Sequence, residues 1–313
     1  MQTTFKPSWE IVKPRNIFAI LISILGLFWA FQDFNFSHFK TSVKNAEFGF
    51  ILFASVLLTA SVWIRAQRWQ WLINVDKKPP IKGLFEIEMI GYFANNVFPL
   101  RAGEFIRAYL LKKKYDIKAS FGLGTIAMER LSDTFGLLLL GLLLVAFYPL
   151  PDEMQKWVYS SGLFIFLLLL FIPILIKFSS KLKNKSGWKG VVFGFLQGLA
   201  GIKKDKILNV FIYTGIIWSM YWLDTHLVQR SLNLELTIWE SLLVLIITSM
   251  AMSVPSAPGM VGTFHAAVKF TMVQILGHDP DIANSFSIIL HAYGFICLTL
   301  IGAFFFISEN LKK

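Results

Sequence analysis

The sequence lacks the residues and motifs on which most catalytic and metal sites depend. Its 313 residues include one cysteine, Cys297, so the chain can form neither an internal disulfide framework nor a cysteine-based metal site. The five histidines are scattered without the spacing of metal ligands. No glycine-rich phosphate loop follows a strand pattern, and neither an HExxH nor a GxSxG motif occurs. We therefore expect no metal and no cofactor, and we do not expect an enzyme.

Nucleic-acid recognition motifs are missing as well, although the chain is strongly basic. Thirty Lys and Arg residues against 19 Asp and Glu residues give a formal net charge of +11. No aromatic-basic motif, zinc finger or recognition-helix pattern accompanies this charge, so we expect no nucleic-acid partner. The basic residues instead lie between apolar runs, as in the cytoplasmic loops of membrane proteins.

Long apolar runs are what the sequence has in abundance. Hydrophobic residues make up 55% of the chain, and they are concentrated in runs of roughly 17–25 residues, the length that crosses a bilayer core. The predicted fold class is an all-α polytopic membrane protein, with a single integral membrane domain over residues 1–313. About six full spans are predicted, at residues 16–31, 48–64, 120–147, 158–176, 208–228 and 282–307.

Two further apolar segments are interrupted, one in each half of the chain. Residues 84–111 contain Glu86 and Glu88 and are broken by Pro99, whereas residues 239–277 are broken at Pro255 and Pro258. Irregular backbone at membrane depth is tolerated where protein or a wet cavity surrounds it. Two broken segments in the two halves of a membrane protein point to a binding site between them. We predict a re-entrant helix hairpin at each segment.

The distribution of Lys and Arg predicts the orientation. If the N-terminus is cytoplasmic, 24 Lys and Arg residues lie on the cytoplasmic side and four on the opposite side, which places both termini in the cytoplasm. The basic segment, residues 177–206, is then predicted to lie on the cytoplasmic membrane surface. The two broken segments would enter from opposite sides, which is the arrangement of an inverted repeat.

Several polar and aromatic residues near the ends of the runs are interpreted as interfacial. Arg65 and Arg68 follow the second run and are counted among the cytoplasmic charges, and Trp69 belongs to a predicted aromatic belt. Asp224 and His226 lie near the outer end of the fifth run, where we expect both at the interface.

The first break predicts an anion site. A new helix begins after Pro99, and its free N–H groups and positive dipole end favour an anion. Arg101 lies in the first turn, where its guanidinium could hold a phosphate with two hydrogen bonds. Gly103 would let a headgroup or a neighbouring helix approach the backbone. Asn96, just before the break, could hydrogen-bond exposed backbone.

Charged residues at helical spacing surround this break. Glu104 lies three residues after Arg101 and could pair with it, and Arg107 lies three further on. Glu129 and Asp133 share a helix face beside Arg130. This second set is either a solvated helix end or the neutralising partner set of Arg101 and Arg107. Intramembrane charges are costly and are usually tied to function.

The second break offers a similar but uncharged arrangement. Pro255, Pro258, Gly259 and Gly262 predict a helix break with a second helix N-terminus in the outer half. His265 follows in an apolar context, where a lone histidine is either a satisfied core residue or a ligand.

Three blocks in this order resemble one family. GYFANNVFPLRAGEFIRAYLL, MERLSDTFGLLLL and VPSAPGMVGTFHAAV are similar to motifs of the lysylphosphatidylglycerol synthase transmembrane family, also called flippase-like or UPF0104. The resemblance implies an integral helical domain with two re-entrant helix pairs that moves a phospholipid or lipid-linked substrate between leaflets. Its motif positions carry over to Asn96, Pro99, Arg101, Gly103, Glu104, Arg107, Glu129, Arg130, Asp133, Pro255, Pro258, Gly259 and Gly262.

The sequence departs from the family pattern in two respects. His265 stands where the family often has Glu, which puts a charge role there in doubt. Larger members add a soluble aminoacyl-transferase domain; this sequence ends at Lys313 without one, so synthase activity is not expected.

The predicted function is that of a lipid flippase in a bacterial-type inner (plasma) membrane. Its partners would be membrane lipids, either an anionic phospholipid or a lipid-linked intermediate, and an oligomer or a lipid-modifying partner protein is compatible with the sequence. The alternative is a membrane enzyme or an accessory subunit of lipid modification, with Glu104 or Glu129 as general base.

Overall fold

The computed structural model describes residues 14–32, 34–98, 102–179, 182, 187–254 and 256–311. Within these ranges the chain is helical and contains no β-strand. The α-helices are α1 Pro14–Phe31, α2 Phe36–Lys44, α3 Phe48–Leu72, α4 Ile81–Val97, α5 Ala102–Tyr115, α6 Ala119–Phe147, α7 Asp152–Ser179, α8 Trp188–Leu199, α9 Ile207–Ser231, α10 Ile238–Ala251, α11 Thr263–Lys269 and α12 Pro280–Leu311.

Three of the described helices, α3, α6 and α12, are long and apolar enough to cross a membrane. They have 25, 29 and 32 residues, and a helix needs about 20 apolar residues to span the hydrocarbon core. Large apolar side chains on α3, such as Leu52 and Phe53, are more than half exposed, as expected of a surface that faces lipid. The all-helical membrane class is thereby confirmed. Spanning by α1, α7 and α9 stays a prediction.

Helix α3 extends eight residues beyond the predicted span, which ended at Ile64. The sequence has no helix breaker before Pro79, so the helix continues through Arg65 and Arg68. Trp69, predicted to be interfacial, is completely buried. The helix therefore carries two arginines into the protein interior.

A short helix, α2, lies between the first two predicted spans. Asn35 caps it, since its side chain accepts a hydrogen bond from the His38 amide. The Asn35 side chain also donates to Asp281 at 3.0 Å, and the His38 ring lies 3.3 Å from the hydroxyl of Ser285. The segment after α1 is therefore fastened to the start of α12.

Helices α4 and α5 form the first hairpin. Arg107 of α5 packs against Gly91 of α4, and Tyr115 packs against Gly83, so the two helices run antiparallel. A Cβ at Gly103 would overlap the carbonyl oxygen of Gly91, which explains why only glycine fits this close crossing. We expected either a headgroup or a neighbouring helix to approach the backbone at Gly103, and in the structure the neighbouring helix α4 does so.

Helices α10 and α11 form the second hairpin, and a π-helical turn, Phe270–Ile275, extends α11. Between them, Pro258–Met260 forms a 3₁₀ turn. Gly259 and Gly262 have positive φ angles of 67° and 94°, which explains the two glycines at this break.

Helix α12 contacts both hairpins. At one end, Lys113 and Lys114 of α5 pair with Glu309 at 3.0 and 2.8 Å. At the other end, Leu276, at the open end of the second hairpin, packs in the same cluster as Ile282. The two hairpins thus open towards opposite ends of α12.

The tips of the two hairpins meet. The 3₁₀ turn Pro258–Met260 packs against α4 near its last residues, and a Cβ at Gly259 would lie 3.6 Å from the carbonyl oxygen of Asn96. The Asn96 side chain donates to the Thr299 hydroxyl at 2.8 Å, which joins this junction to the middle of α12.

Within the basic segment, helix α8 packs on the first turns of α6. Gly194 and Gly198 are four residues apart, and a Cβ at Gly198 would overlap the carbonyl oxygen of Phe121. Trp188, in contrast, is 70% exposed. The helix therefore has one face on the protein and one face towards its surroundings.

Candidate functional site

Four charged residues from α3 and α6, of which three are buried and Asp133 is 13% exposed, meet because of their helical spacing. Arg65 and Arg68 are three residues apart on α3, and Glu129 and Asp133 are four apart on α6, so each pair lies on one helix face. Arg65 pairs with Glu129 and, at 3.2 Å, with Asp133. Arg68 pairs with Asp133 at 2.7 Å and donates to the Thr214 hydroxyl at 2.9 Å.

The first hairpin adds two more charges. Arg107 of α5 donates to Glu88 of α4 at 2.6 Å and to Glu129 at 2.9 Å. Its guanidinium carbon lies 4.3 Å from the ring centroid of Trp69, whose indole N–H donates to Thr125 at 3.0 Å. Such stacking of Arg on Trp adds to the ion pairs. The expectation that Glu129 is a partner of Arg107 therefore agrees with the geometry.

We call these six residues, Arg65, Arg68, Arg107, Glu88, Glu129 and Asp133, the charge network. Three cations balance three carboxylates, and five of the six side chains are at most 4% exposed. Glu129 lies ten residues after the start of α6, roughly 15 Å along the helix at ~1.5 Å per residue. Each carboxylate needs its arginines at such burial, because removing one partner leaves an uncompensated charge.

A more exposed ion pair borders the charge network. Arg130 donates through Nε to Glu104 at 3.2 Å, and its Nη1 lies 3.6 Å from Asp133. The Arg130 and Glu104 side chains are 42% and 27% exposed. A guanidinium has five N–H donors, so two contacts leave donors of Arg130 free for another acceptor.

The predicted anion site after the first break can be traced only in part. Pro99 and Arg101 lie outside the described residues. The amide of Gly103, one of the first in α5, donates to the Asn95 side chain at 2.8 Å. That N–H group is therefore already satisfied, and the described partner of Glu104 is Arg130.

The candidates of the second break form a separate group, of which Pro255 lies outside the described residues. His265 is 7% exposed, and its Nδ1 accepts a hydrogen bond from the Gly262 amide at 3.4 Å. His291 donates to the carbonyl oxygen of Gly259 at 2.8 Å, and the two imidazole rings are 4.8 Å apart. His265 thus satisfies the backbone at the start of α11, so the expected free N-terminus is partly closed.

The tip of the second hairpin also contacts α1. The Ala257 amide donates to the Ser23 hydroxyl at 2.7 Å. Lys269, 6% exposed, donates to the carbonyl oxygens of Ala30 and Trp29 at 2.9 and 3.3 Å. These are carbonyls of the last turn of α1, where a cation is favoured by the helix dipole.

The described part of the chain contains no group of three or more His, Cys, Asp or Glu side chains arranged to hold a metal ion. The carboxylates of the charge network are instead bonded to arginines.

Comparison with known proteins identifies the family of this chain. The family model described as the lysylphosphatidylglycerol synthase TM region matches residues 16–302. The chain belongs to this family. A UPF0104 membrane protein of Methanocaldococcus jannaschii is 27% identical over 236 residues, covering 71% of this chain and 97% of the relative. One of Methanothermobacter thermautotrophicus is 23% identical over 288 residues, 84% of each chain.

A third relative in this family, a UPF0104 membrane protein of Pyrococcus horikoshii, is 22% identical over 324 residues, covering 91% of this chain and 93% of its own length. No solved structure matches the chain. The similarity to the lysylphosphatidylglycerol synthase TM region confirms the family resemblance drawn from the three sequence blocks, and it supports an integral membrane protein.

The sequence interpretation missed half of the charge network. Arg65 and Arg68 were counted as cytoplasmic charges, although they are 3% and 0% exposed. Glu88 was noted as an acid in an apolar run without a partner. Its signal was its position, because an acid in the interior of a membrane helix requires a cation nearby. The same predicted hairpin offered two arginines, Arg101 and Arg107.

Proposed function

We propose that this protein is a flippase-like lipid transporter and not an enzyme. Its substrate would be a phospholipid or a lipid-linked molecule with an anionic headgroup, moved between the leaflets of the plasma membrane. The observation that carries the proposal is the meeting of the two hairpin tips beside the middle of α12, with the hairpins open to opposite ends. Such paired, opposed broken helices are the common design of transporter binding sites.

The border of the charge network supplies the cation for the headgroup. Arg130 is more exposed than the three arginines of the charge network, and its hydrogen bond to Glu104, at 3.2 Å, is long and partly solvated. Exposed pairs of this kind contribute about 0–1 kcal/mol, so a phosphate could displace Glu104 from the guanidinium at low cost. The six residues of the charge network would then hold the helices in place and keep their own neutrality.

An apolar groove gives the hydrocarbon chain a place to lie. It has a volume of about 460 Å³ and runs between α3, α4 and α12, where Val56, Trp63 and Cys297 are among its lining residues. Val56 and Trp63 are 59% and 39% exposed. A lipid could keep its acyl chain in such a groove while its headgroup moves past the hairpin tips.

The burial of Glu129 bears on the enzyme alternative. Its side chain is 0% exposed and both oxygens accept hydrogen bonds from arginines. A general base must reach a substrate proton, and this carboxylate is already enclosed by cations. This enclosure argues against Glu129 as a general base and leaves Glu104, which is 27% exposed, as the base that the enzyme alternative would use.

The proposal is tested by lipid movement in reconstituted vesicles. Fluorescent phosphatidylglycerol or phosphatidylcholine is placed in one leaflet, and a membrane-impermeant quencher reports which leaflet holds it. We expect the protein to accelerate movement of the anionic lipid over the zwitterionic one. Arg130→Gln should lose this preference, whereas Arg230→Gln, at the exposed end of α9, should keep it.

Two results would contradict the proposal. Vesicles in which neither lipid moves faster than in protein-free controls would remove transport. The appearance of a lipid of new mass, which mass spectrometry of the same vesicles would detect, would instead support the enzyme alternative. Unchanged anionic preference in Arg130→Gln would leave transport standing but would remove Arg130 as the headgroup residue.

A further inference from the structure

Helix α9 contains a buried carboxyl group that the charge network does not use. Asp224 is 1% exposed, which corrects the interfacial position expected from the sequence. Within the described part of the chain, no hydrogen-bond donor reaches either of its carboxyl oxygens. It lies seven residues before the last residue of α9, about 10 Å from that end.

In the described part of the chain, the neighbouring helices supply no ion-pair partner to Asp224. Arg65 of α3 is committed to Glu129 and Asp133. His226 of α9 is bonded to Ser241 and Gln229. The remaining titratable groups on the packed helices include Tyr221 on α9, Glu240 on α10 near its partner Tyr148, and Tyr293 and Cys297 on α12. None of these is a cation. Of the arginines on the same helices, Arg68 and Arg130 face carboxylates of α5 and α6, and Arg230 is exposed near the end of α9.

Two tyrosines lie near Asp224: Tyr221 is three residues earlier on α9, and Tyr293 is on α12, which packs against α9. A phenol hydroxyl both donates and accepts a hydrogen bond. Neither phenol donates a hydrogen bond to the Asp224 carboxyl group in this structure.

We propose that Asp224 is a proton-binding site whose loading and release are coupled to lipid movement. An ionised carboxylate without a partner at this burial is expensive, whereas a neutral carboxyl group is much less so. The step is a proton transfer alone: the carboxylate gains one proton, becomes a carboxylic acid, and returns it later, and no electron moves. The coupling to lipid rests on the proposed function, but the proton site does not.

A metal cation is a poorer occupant than a proton. Hard cations take several oxygen ligands at once, and the surroundings of Asp224 offer one carboxyl group and nearby phenols. A proton needs a single acceptor. This difference makes the ion specificity a direct test of the assignment.

The proton site is tested by infrared difference spectroscopy of the purified protein in lipid. At neutral pH, the wild type should show the C=O stretch of a protonated carboxyl group. The band should be missing in Asp224→Asn and retained in Asp152→Asn, whose side chain is exposed at the start of α7. If the wild type and Asp224→Asn give the same carboxylic-acid region at neutral pH, Asp224 is ionised and the proposal is overturned. Because Asn is a neutral residue of nearly the same shape, Asp224→Asn should melt no earlier than the wild type.

The coupling is tested in the vesicle assay with an imposed pH gradient. Lipid movement by the wild type should change several-fold with the direction of the gradient, and Asp224→Asn should move lipid at one rate in both directions. A gradient-independent wild type that still moves lipid would overturn the coupling and leave the transporter intact. Movement driven by a sodium gradient at equal pH would overturn the proton as the ion. If the wild type moves no lipid, the proposed function and the coupling both fail, and the infrared band alone decides the proton site.

Discussion

The two hairpins are held to their neighbouring helices by different kinds of contact. The first adds buried ion pairs to its glycine crossing, since Arg107 joins α5 to Glu88 of α4 and to Glu129 of α6. The second is fastened through backbone groups. Gly262 lies against the backbone of Ser23, His265 satisfies the amide of Gly262, and Lys269 binds carbonyl oxygens of α1 and not a carboxylate. In an environment with little water, both polar side chains and broken backbone must find partners within the protein.

The difference predicts which kind of substitution destabilises each hairpin. An ion-pair cluster is sensitive to loss of charge at constant shape, because the remaining partner is buried without compensation. A glycine crossing is sensitive to added volume at constant charge, because interiors are close-packed. The following predictions separate the two cases, and each uses thermal unfolding of purified protein in matched detergent unless stated otherwise.

The largest effect is expected for Glu129→Gln. The change keeps the shape of the side chain but removes the carboxylate shared by Arg65 and Arg107. Leaving buried arginines short of a partner should lower the free energy of unfolding by about 3–5 kcal/mol. Glu235→Gln, an exposed residue before α10, is the matched control and should melt like the wild type. Equal melting of both variants would mean that the charge network contributes nothing to stability.

Gly262→Ala should be next in size. Gly262 has a φ of 94°, and a Cβ there would overlap the carbonyl oxygen of Ser23. Strain and overlap together should cost about 2–4 kcal/mol. Gly277→Ala is the control, since Gly277 has a φ of 73° but open space around it, so strain alone remains. If Gly262→Ala lowers the free energy of unfolding no more than Gly277→Ala does, the close contact with Ser23 does not stabilise the second hairpin.

Lys269→Met should have a smaller and local effect. The substitution retains an apolar stem but removes the ammonium that binds the carbonyl oxygens of Ala30 and Trp29. We expect a cost of about 1–2 kcal/mol and faster amide hydrogen exchange in the last turn of α1. Exchange that rises equally in α1 and in α6 would indicate general destabilisation and not the loss of a helix cap.

The smallest effect is expected for Glu104→Gln. Its partner Arg130 is 42% exposed and keeps a contact with Asp133, so the loss should be at most about 1 kcal/mol. The same variant should retain more anionic lipid, because a competitor for Arg130 has been removed. Lipid analysis of the purified proteins measures this, and unchanged lipid content would argue against competition at Arg130.

The sequence predicted much of the fold because its signals were local. Apolar length predicted α3, α6 and α12 as spans, and proline with glycine predicted the break at Pro258–Met260. Helical spacing also placed Glu129 and Asp133 on one face, where the structure has them. Such features depend on neighbours in the sequence, so a single chain is enough to find them.

The burial of several charged residues could not be predicted, because it depends on contacts between distant segments of the chain. Arg65 and Arg68 follow an apolar run, where basic residues ordinarily mark the cytoplasmic interface. They are buried because α3 continues to Leu72 and meets α6, which local composition does not indicate. Asp224 was misplaced for the same reason: its burial comes from the helices packed around α9.

The single cysteine offers a natural reporter of the space between α3 and α12. Its sulfur lies 3.5 Å from the Thr59 hydroxyl and 3.8 Å from the carbonyl oxygen of Ser55, and it lines the apolar groove. A thiol reagent that enters this groove could reach the partly exposed sulfur, and the size of reagent that reacts would depend on the space between the two helices. Because no other thiol competes, the alkylation rate of the unaltered protein would report the width of the groove.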